Sequence, residues 1–195
     1  MSANKYSSVR IISGSKRGSK IHFESEPGLR PSGDRVRELL FSWLQTSVVG
    51  CTCLDMFAGS GALGFEASSR GAATVCMLEM NRSVVTTLNE NIDRLRFDNI
   101  TVLAADALQA ATYQLLPNND SQFDLIFIDP PFADGLHQSA IELVQHQQLL
   151  RPGGFVYVET ARRAGELIVP AAWELHREKI AGDVQVRLYR TIAAE

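Results

Sequence analysis

From Cys51 onward the chain alternates two hydrophobic periods, and this alternation constrains the fold more than any other feature. Residues 53–57, 74–79, 100–104, 123–128 and 155–159 are short apolar runs of strand length. Helical patterns lie between them. Residues 62–70 form one that stops at Gly71, and Val84, Leu88, Asn91 or Ile92, and Leu95 mark the next. Residues 107–116 and 136–149 supply two more, and Arg151-Pro152-Gly153-Gly154 reads as a turn. Residues 173–180 and 184–189 form a closing antiparallel pair around Gly182-Asp183. Strand–helix alternation with right-handed crossovers gives a parallel, doubly wound sheet. The expected fold is therefore α/β: a Rossmann-like, seven-stranded, mostly parallel sheet ending in an antiparallel C-terminal pair.

An N-terminal β-hairpin precedes this sheet. Residues 9–12 and 20–23 are β-prone and flank a basic, glycine-containing turn. Its tip, Ser15-Lys16-Arg17-Gly18, is expected to project its cations into solvent. A helix follows Ser32-Gly33-Asp34, with Val36, Leu39, Leu40, Trp43 and Leu44 on one face. We expect residues 1–30 to be a basic arm and residues 31–195 the main domain. Charge supports this division. The first forty residues carry eight bases against four acids, a balance of +4; the other 155 carry eleven against eighteen, or −7. A basic arm on an acidic body suggests a local polyanion contact through Arg10, Lys16, Arg17 and Lys20. Arg35 and Arg37 either extend it or form a charged outer helix face.

At 195 residues the chain can bury one real core. No apolar run approaches bilayer length and no apolar signal core opens the chain, so we expect a cytoplasmic protein without a membrane partner. Cys51, Cys53 and Cys76 and the four histidines form no metal-ligand spacing, and no metal is expected. His137 and His146 fall on a surface helix and receive no role. Nothing marks a large exposed apolar face, so a monomer is expected.

The first strand runs into Asp55-Met-Phe-Ala-Gly59-Ser-Gly61-Ala-Leu-Gly64, a G-x-G-x-x-G loop between strand and helix. The pattern alone suits a nicotinamide dinucleotide equally well. Acids shift the balance. Asp55, Glu79, Asp106 and Asp129 all stand at strand ends facing one crevice. A carboxylate can hold a ligand ammonium, accept from two ribose hydroxyls, or take an adenine amino proton. A pyrophosphate would meet unfavourable electrostatics there, whereas a sulfonium with an ammonium would meet favourable ones. That sign favours S-adenosylmethionine over NAD.

The fourth strand ends in Asp129-Pro130-Pro131-Phe132. Two prolines stiffen the backbone and leave carbonyls without ladder partners. A carboxylate and a carbonyl can accept both hydrogens of an exocyclic amine, while the phenyl ring stacks on the base. Asp129, Pro130, Pro131 and Phe132 are thus the candidate catalytic residues.

Together, Phe57-Ala58-Gly59-Ser60-Gly61, Glu79, Asp106 and Asp129-Pro130-Pro131-Phe132 resemble a class I S-adenosylmethionine-dependent methyltransferase. More narrowly, the chain resembles the bacterial family that methylates the N2 of one guanine in 16S ribosomal RNA. Arg10-Ile11-Ile12-Ser13-Gly14 with Arg17, Gly18 and Lys20 is similar to that family's opening hairpin. Residues 30–38, from Arg30-Pro31-Ser32-Gly33-Asp34 to Glu38, and the loop at residues 54–64 are similar to its other motifs. At Ser32-Gly33 the family's pattern has hydroxyl residues at both places. The resemblance implies a cofactor site of Arg30, Asp55, Phe57, Gly59, Gly61, Glu79, Asp106 and Ala107. Glu79 would serve the ribose and Asp106 the adenine. It also implies 16S rRNA in the small ribosomal subunit as partner, held by Arg10, Lys16, Arg17 and Lys20. Three alternatives stand beside it: an N-methyltransferase for adenine, cytosine or a glutamine amide, a nicotinamide-dependent oxidoreductase, and a non-catalytic RNA-binding protein.

Overall fold

The structure is a computed structural model that describes residues 6–24, 33–116, 122–132 and 135–192. Strands β1 (Tyr6–Arg10) and β2 (Lys20–Glu24) form the antiparallel hairpin. The main sheet contains β3 (Thr52–Asp55), β4 (Thr74–Glu79), β5 (Ile100–Ala104), β6 (Phe123–Ile128), β7 (Leu150–Ala161), β8 (Trp173–Ala181) and β9 (Val184–Thr191). Its order is β5-β4-β3-β6-β7-β9-β8. The first five strands run parallel, and β9 runs antiparallel to both β7 and β8. The order climbs outward from β3 to β5 and then returns to β6 at the other side of β3. This reversal is the topological switch point, outside which ligands bind in such sheets.

Helices α1 (Asp34–Trp43), α2 (Ala62–Ser69) and α3 (Arg82–Leu95) share one apolar layer with the hairpin, built on Ile11, Ile21, Leu40, Phe41, Phe65 and Leu88. Helix α4 (His137–His146) covers the other layer, where Ile141 and Val144 pack with Leu54, Ile126 and Ile128.

Several boundaries differ from the sequence expectation for identifiable reasons. The first strand stops at Asp55 rather than Phe57, because the chain leaves the ladder as the Ala58 N–H reaches back to the Leu78 carbonyl (3.0 Å). The expected helix at 107–116 is a 3₁₀ turn over Ala110–Leu115. Helix α4 ends at His146, and the Leu149 carbonyl already accepts the Phe123 N–H (2.7 Å). Arg151-Pro152-Gly153-Gly154 is part of β7 rather than a turn; a register shift against Phe123 and Leu125 absorbs it.

The hairpin is stapled to the body along its whole length. Its tip docks on the last residue of α2: the Ser15 N–H donates to the Ser69 carbonyl (2.7 Å), and Ser69 Oγ donates to the Ser13 carbonyl (2.6 Å). Gly14 (φ +86°) has no alternative there, since a Cβ would lie 1.8 Å from the Ser69 carbonyl oxygen. At β2 the side-chain amide of Asn91 replaces a strand partner, accepting from His22 N–H (3.0 Å) and donating to its carbonyl (2.7 Å).

A buried carboxylate completes the attachment. Glu66 of α2 accepts from the Ile12 N–H (2.7 Å), the Ser13 N–H (3.0 Å), Arg70 Nε (2.7 Å) and Arg37 (3.4 Å). Arg37 is fully buried, and it also donates to the Arg10 carbonyl (2.8 Å) and Asp34 (2.7 Å). It therefore lies neither on an outer helix face nor against a phosphate; of the two, only Arg35 is exposed. Removing one partner of a buried pair leaves the other charge uncompensated. Glu66→Ala is expected to cost about 3–5 kcal/mol in urea unfolding, with Glu66→Gln milder. A loss below about 1 kcal/mol, the range of an exposed pair, would contradict this attachment.

Candidate active site

The carboxyl ends of β5, β4, β3 and β6 lie side by side, and each delivers an acid to the same edge. Asp55 and Glu79 are the last residues of β3 and β4, Asp129 follows β6, and Asp106 lies two residues past β5. Between Asp55 and α2 runs the glycine loop. Gly59 (φ +50°) and Gly61 (φ +76°) hold left-handed backbone, and a Cβ on Gly61 would strike Phe65 and Leu88 at 2.6 and 2.7 Å. The loop's shape therefore depends on glycine.

Each acid has a distinct setting. Asp55 is almost wholly buried. Its Oδ2 accepts from the Gly64 N–H (3.2 Å), while Oδ1 is buried without a hydrogen-bond partner. Burial above all pushes its carboxyl up to about 7; amides of Gly64 and Phe57 pull it down, and Glu79 adds repulsion. Half-buried Glu79 accepts from the Gly59 N–H (3.0 Å) and the Asn81 N–H (2.8 Å), which ties the loop to β4. Asp106 accepts from the Leu108 N–H (2.9 Å), and its carbonyl accepts from Thr112 Oγ1 (2.7 Å). The buried Ala107 carbonyl accepts from the Tyr113 hydroxyl (2.7 Å). Phe57 is half-buried beside the loop. Arg30 lies outside the described residues.

An orphaned buried carboxylate oxygen fits a cationic ligand, because a charge arriving there compensates the cost of burying Asp55. The acids at this edge likewise suit an ammonium and ribose hydroxyls better than a pyrophosphate.

Beyond β6, Asp129 is half-buried, Pro130 is buried, and Pro131 and Phe132 are exposed, Phe132 by 43% of its surface. Parallel pairing of Ile128 with Val158 sets Asp129 beside Glu159, a buried acid on β7. Glu159 accepts from the Tyr157 hydroxyl (2.7 Å). Burial first, then Glu159 and Asp129, drive the Tyr157 phenol well above its usual range. The sequence carried a signal for Glu159, since it also ends a strand pattern. His137 is buried rather than on a surface helix, with Nε2 2.7 Å from the Glu159 carbonyl.

The chain matches the family described as Conserved hypothetical protein 95 over residues 9–190. It belongs to this family. Among its relatives is the Ribosomal RNA small subunit methyltransferase D of Escherichia coli K12, 44% identical across 93% of this chain and 89% of that one. The protein of the same name from Haemophilus influenzae is 41% identical over 96% of each. A solved structure of yhhF from Escherichia coli superimposes with a TM-score of 0.82 at 41% identity, covering 96% of this chain and all of the other. The fold alone is shared with a Thermus thermophilus 16S rRNA N2 G1207 methyltransferase solved with AdoMet and guanosine (TM-score 0.66, 21% identity, 97% of this chain and 51% of that one).

Arg10, Lys16, Arg17 and Lys20 lie at the closed end of the hairpin rather than at the crevice. Helix α2 starts at the glycine loop and ends at Ser69, where the hairpin tip docks, about 12 Å further along for its eight residues. Lys16 is half-buried, with Nζ 5.7 Å from the centre of the Phe97 ring; Arg10, Arg17 and Lys20 are exposed. The open end of the hairpin, at His22, Phe23 and Glu24, borders Gly59 and Ser60 of the loop.

Asp55 also predicts a pH dependence. Its folded value near 7 exceeds the unfolded value of 3.8, so without ligand its contribution to stability is full below pH 3.8 and lost as pH rises through 7. A ligand ammonium favours the carboxylate and reverses that preference. S-adenosylmethionine affinity is therefore expected to rise between about pH 5.5 and 7 by up to roughly tenfold per unit. Asp55→Asn should bind more weakly and flatten the profile. Equal calorimetric affinity at both pH values in the wild type would exclude Asp55 as the ammonium site.

Proposed function

We propose that this chain transfers the methyl group of S-adenosylmethionine to the exocyclic N2 of a guanine in 16S rRNA, on the small ribosomal subunit or an assembly intermediate. One observation carries the reading most directly. In a chain 44% identical to a ribosomal RNA small subunit methyltransferase, the Asp129–Phe132 turn stands one strand away from the Asp55 loop across the switch point. A cofactor on Asp55 and Glu79 and a base on Asp129 would share one crevice. We further propose a cytoplasmic monomer. Among the described residues no helix is long and apolar enough to cross a membrane.

When bound, the cofactor supplies an electrophilic methyl on a sulfonium; the rest falls to the protein. Guanine N2 is a poor nucleophile because its lone pair is delocalised into the ring. Asp129 and the Pro130 carbonyl accept its two N–H groups and draw the nitrogen toward pyramidal geometry. Phe132 stacks on the base, which must leave any stack to reach the turn. Gly59, Gly61, Glu79, Asp106 and Ala107 would hold the cofactor, and positioning two reactants in this way can be worth about 7–11 kcal/mol. As the N–C bond forms, N2 becomes acidic, and its proton passes to Asp129 or to water.

The hairpin cations suit phosphates of the same RNA at a distance from the target base. Neutralising them should matter for long, folded RNA and little for chemistry.

Asp129→Ala is expected to bind S-adenosylmethionine normally and to lose at least about a hundredfold in methyl transfer, the low end of an acid–base contribution. Wild-type turnover in that variant would remove Asp129 from the mechanism. A Lys16/Arg17/Lys20 triple alanine variant should keep its turnover number and weaken RNA binding. The slope of log affinity against log salt should fall by about 0.7–0.9 per lost phosphate contact. An unchanged slope would show that the hairpin does not touch RNA.

A further inference from the structure

Phe132 exposes an aromatic ring at the end of the Asp129–Phe132 turn. Gly135, two residues before α4, has φ +62° and open space where a Cβ would lie. His137, the first residue of that helix, meets the Phe132 ring with centroids 6.2 Å apart and planes tilted by 32°. That is within the range of offset aromatic pairs. Unlike Phe132, His137 is buried. Its far nitrogen, Nε2, lies 2.7 Å from the Glu159 carbonyl, which can only accept, so Nε2 carries the proton. The same residue's carboxylate is held by the Tyr157 hydroxyl. A continuous chain of contacts thus runs from the interior of β7, through a fixed imidazole, to the exposed ring beside Asp129.

We propose that His137 is a positioning residue for methyl transfer. Its ring backs Phe132 and sets the plane on which the target base stacks, and its hydrogen bond to Glu159 holds that ring still. This inference rests on the reading of Phe132 as the base platform. Burial lowers the imidazole's tendency to protonate, with the Glu159 carbonyl acting the other way. His137 itself touches neither base nor cofactor; it acts through Phe132.

A double-mutant cycle between His137 and Phe132 tests this, with S-adenosylmethionine affinity measured on every variant as proof of an intact fold. His137→Ala is expected to lower kcat at least tenfold and leave cofactor affinity unchanged. His137→Phe keeps a ring and His137→Asn keeps a donor, so each should recover part of the loss. In a Phe132→Ala background, His137→Ala should have little further effect, because the group through which it acts is gone. Multiplicative losses in the double variant would overturn the proposal, as would wild-type kcat in His137→Ala. Should His137→Ala bind cofactor poorly, the same cycle is run with His137→Phe and His137→Asn. Full activity of Phe132→Ala alone would instead refute the base platform, and this inference with it.

Discussion

The carboxylate of Glu66 sits where three separate stretches of chain meet. It accepts from the hairpin backbone at Ile12 and Ser13, from Arg37 of α1 and from Arg70 at the end of α2. A buried acid with this many donors is stable only while all three segments stay in register. The consequence reaches the site. Helix α2 begins at the glycine loop, so whatever fixes its far end also fixes the loop's exit from the sheet. Asn91 does the same for α3, whose first turn follows Glu79. The hairpin is thereby part of the frame that holds the crevice as well as a carrier of cations.

The two ends of the sheet divide the charge. Acids gather at the carboxyl ends of β3–β6, where a cationic ligand would lower the cost of crowding them. Hairpin bases gather toward the amino ends, with α2 and α3 spanning the distance. Such separation keeps the cations from neutralising the crevice acids. The buried Oδ1 of Asp55 lacks a hydrogen-bond partner, and a positive ligand would offset the cost of burying that carboxylate.

Local patterns revealed some of this and hid the rest. Strand-end acids were readable because each closes a short apolar run and the topology brings such ends to one edge. The glycine loop was readable because left-handed backbone demands glycine at Gly59 and Gly61. Glu66 and Arg37 were not, because a charged residue on a helix has the same spacing whether it faces water or a partner tens of residues away in the chain. The docking of Gly14 on Ser69 was hidden for the same reason: the contact is long-range, and a basic glycine turn looks solvent-exposed in isolation. His137 was hidden because its helix carries an amphipathic pattern that places it near the boundary. The Pro-Gly-Gly inside β7 misled because the register shift that accommodates it depends on β6.

Transfer of labelled methyl from S-adenosylmethionine to small ribosomal subunits from cells lacking this protein tests the central claim most directly, with naked 16S rRNA and duplex DNA alongside. Label recovered as N2-methylguanosine at a single site, from the ribosomal substrates alone, is the result expected. Label in DNA or protein, or in RNA at any position other than a guanine N2, would contradict it.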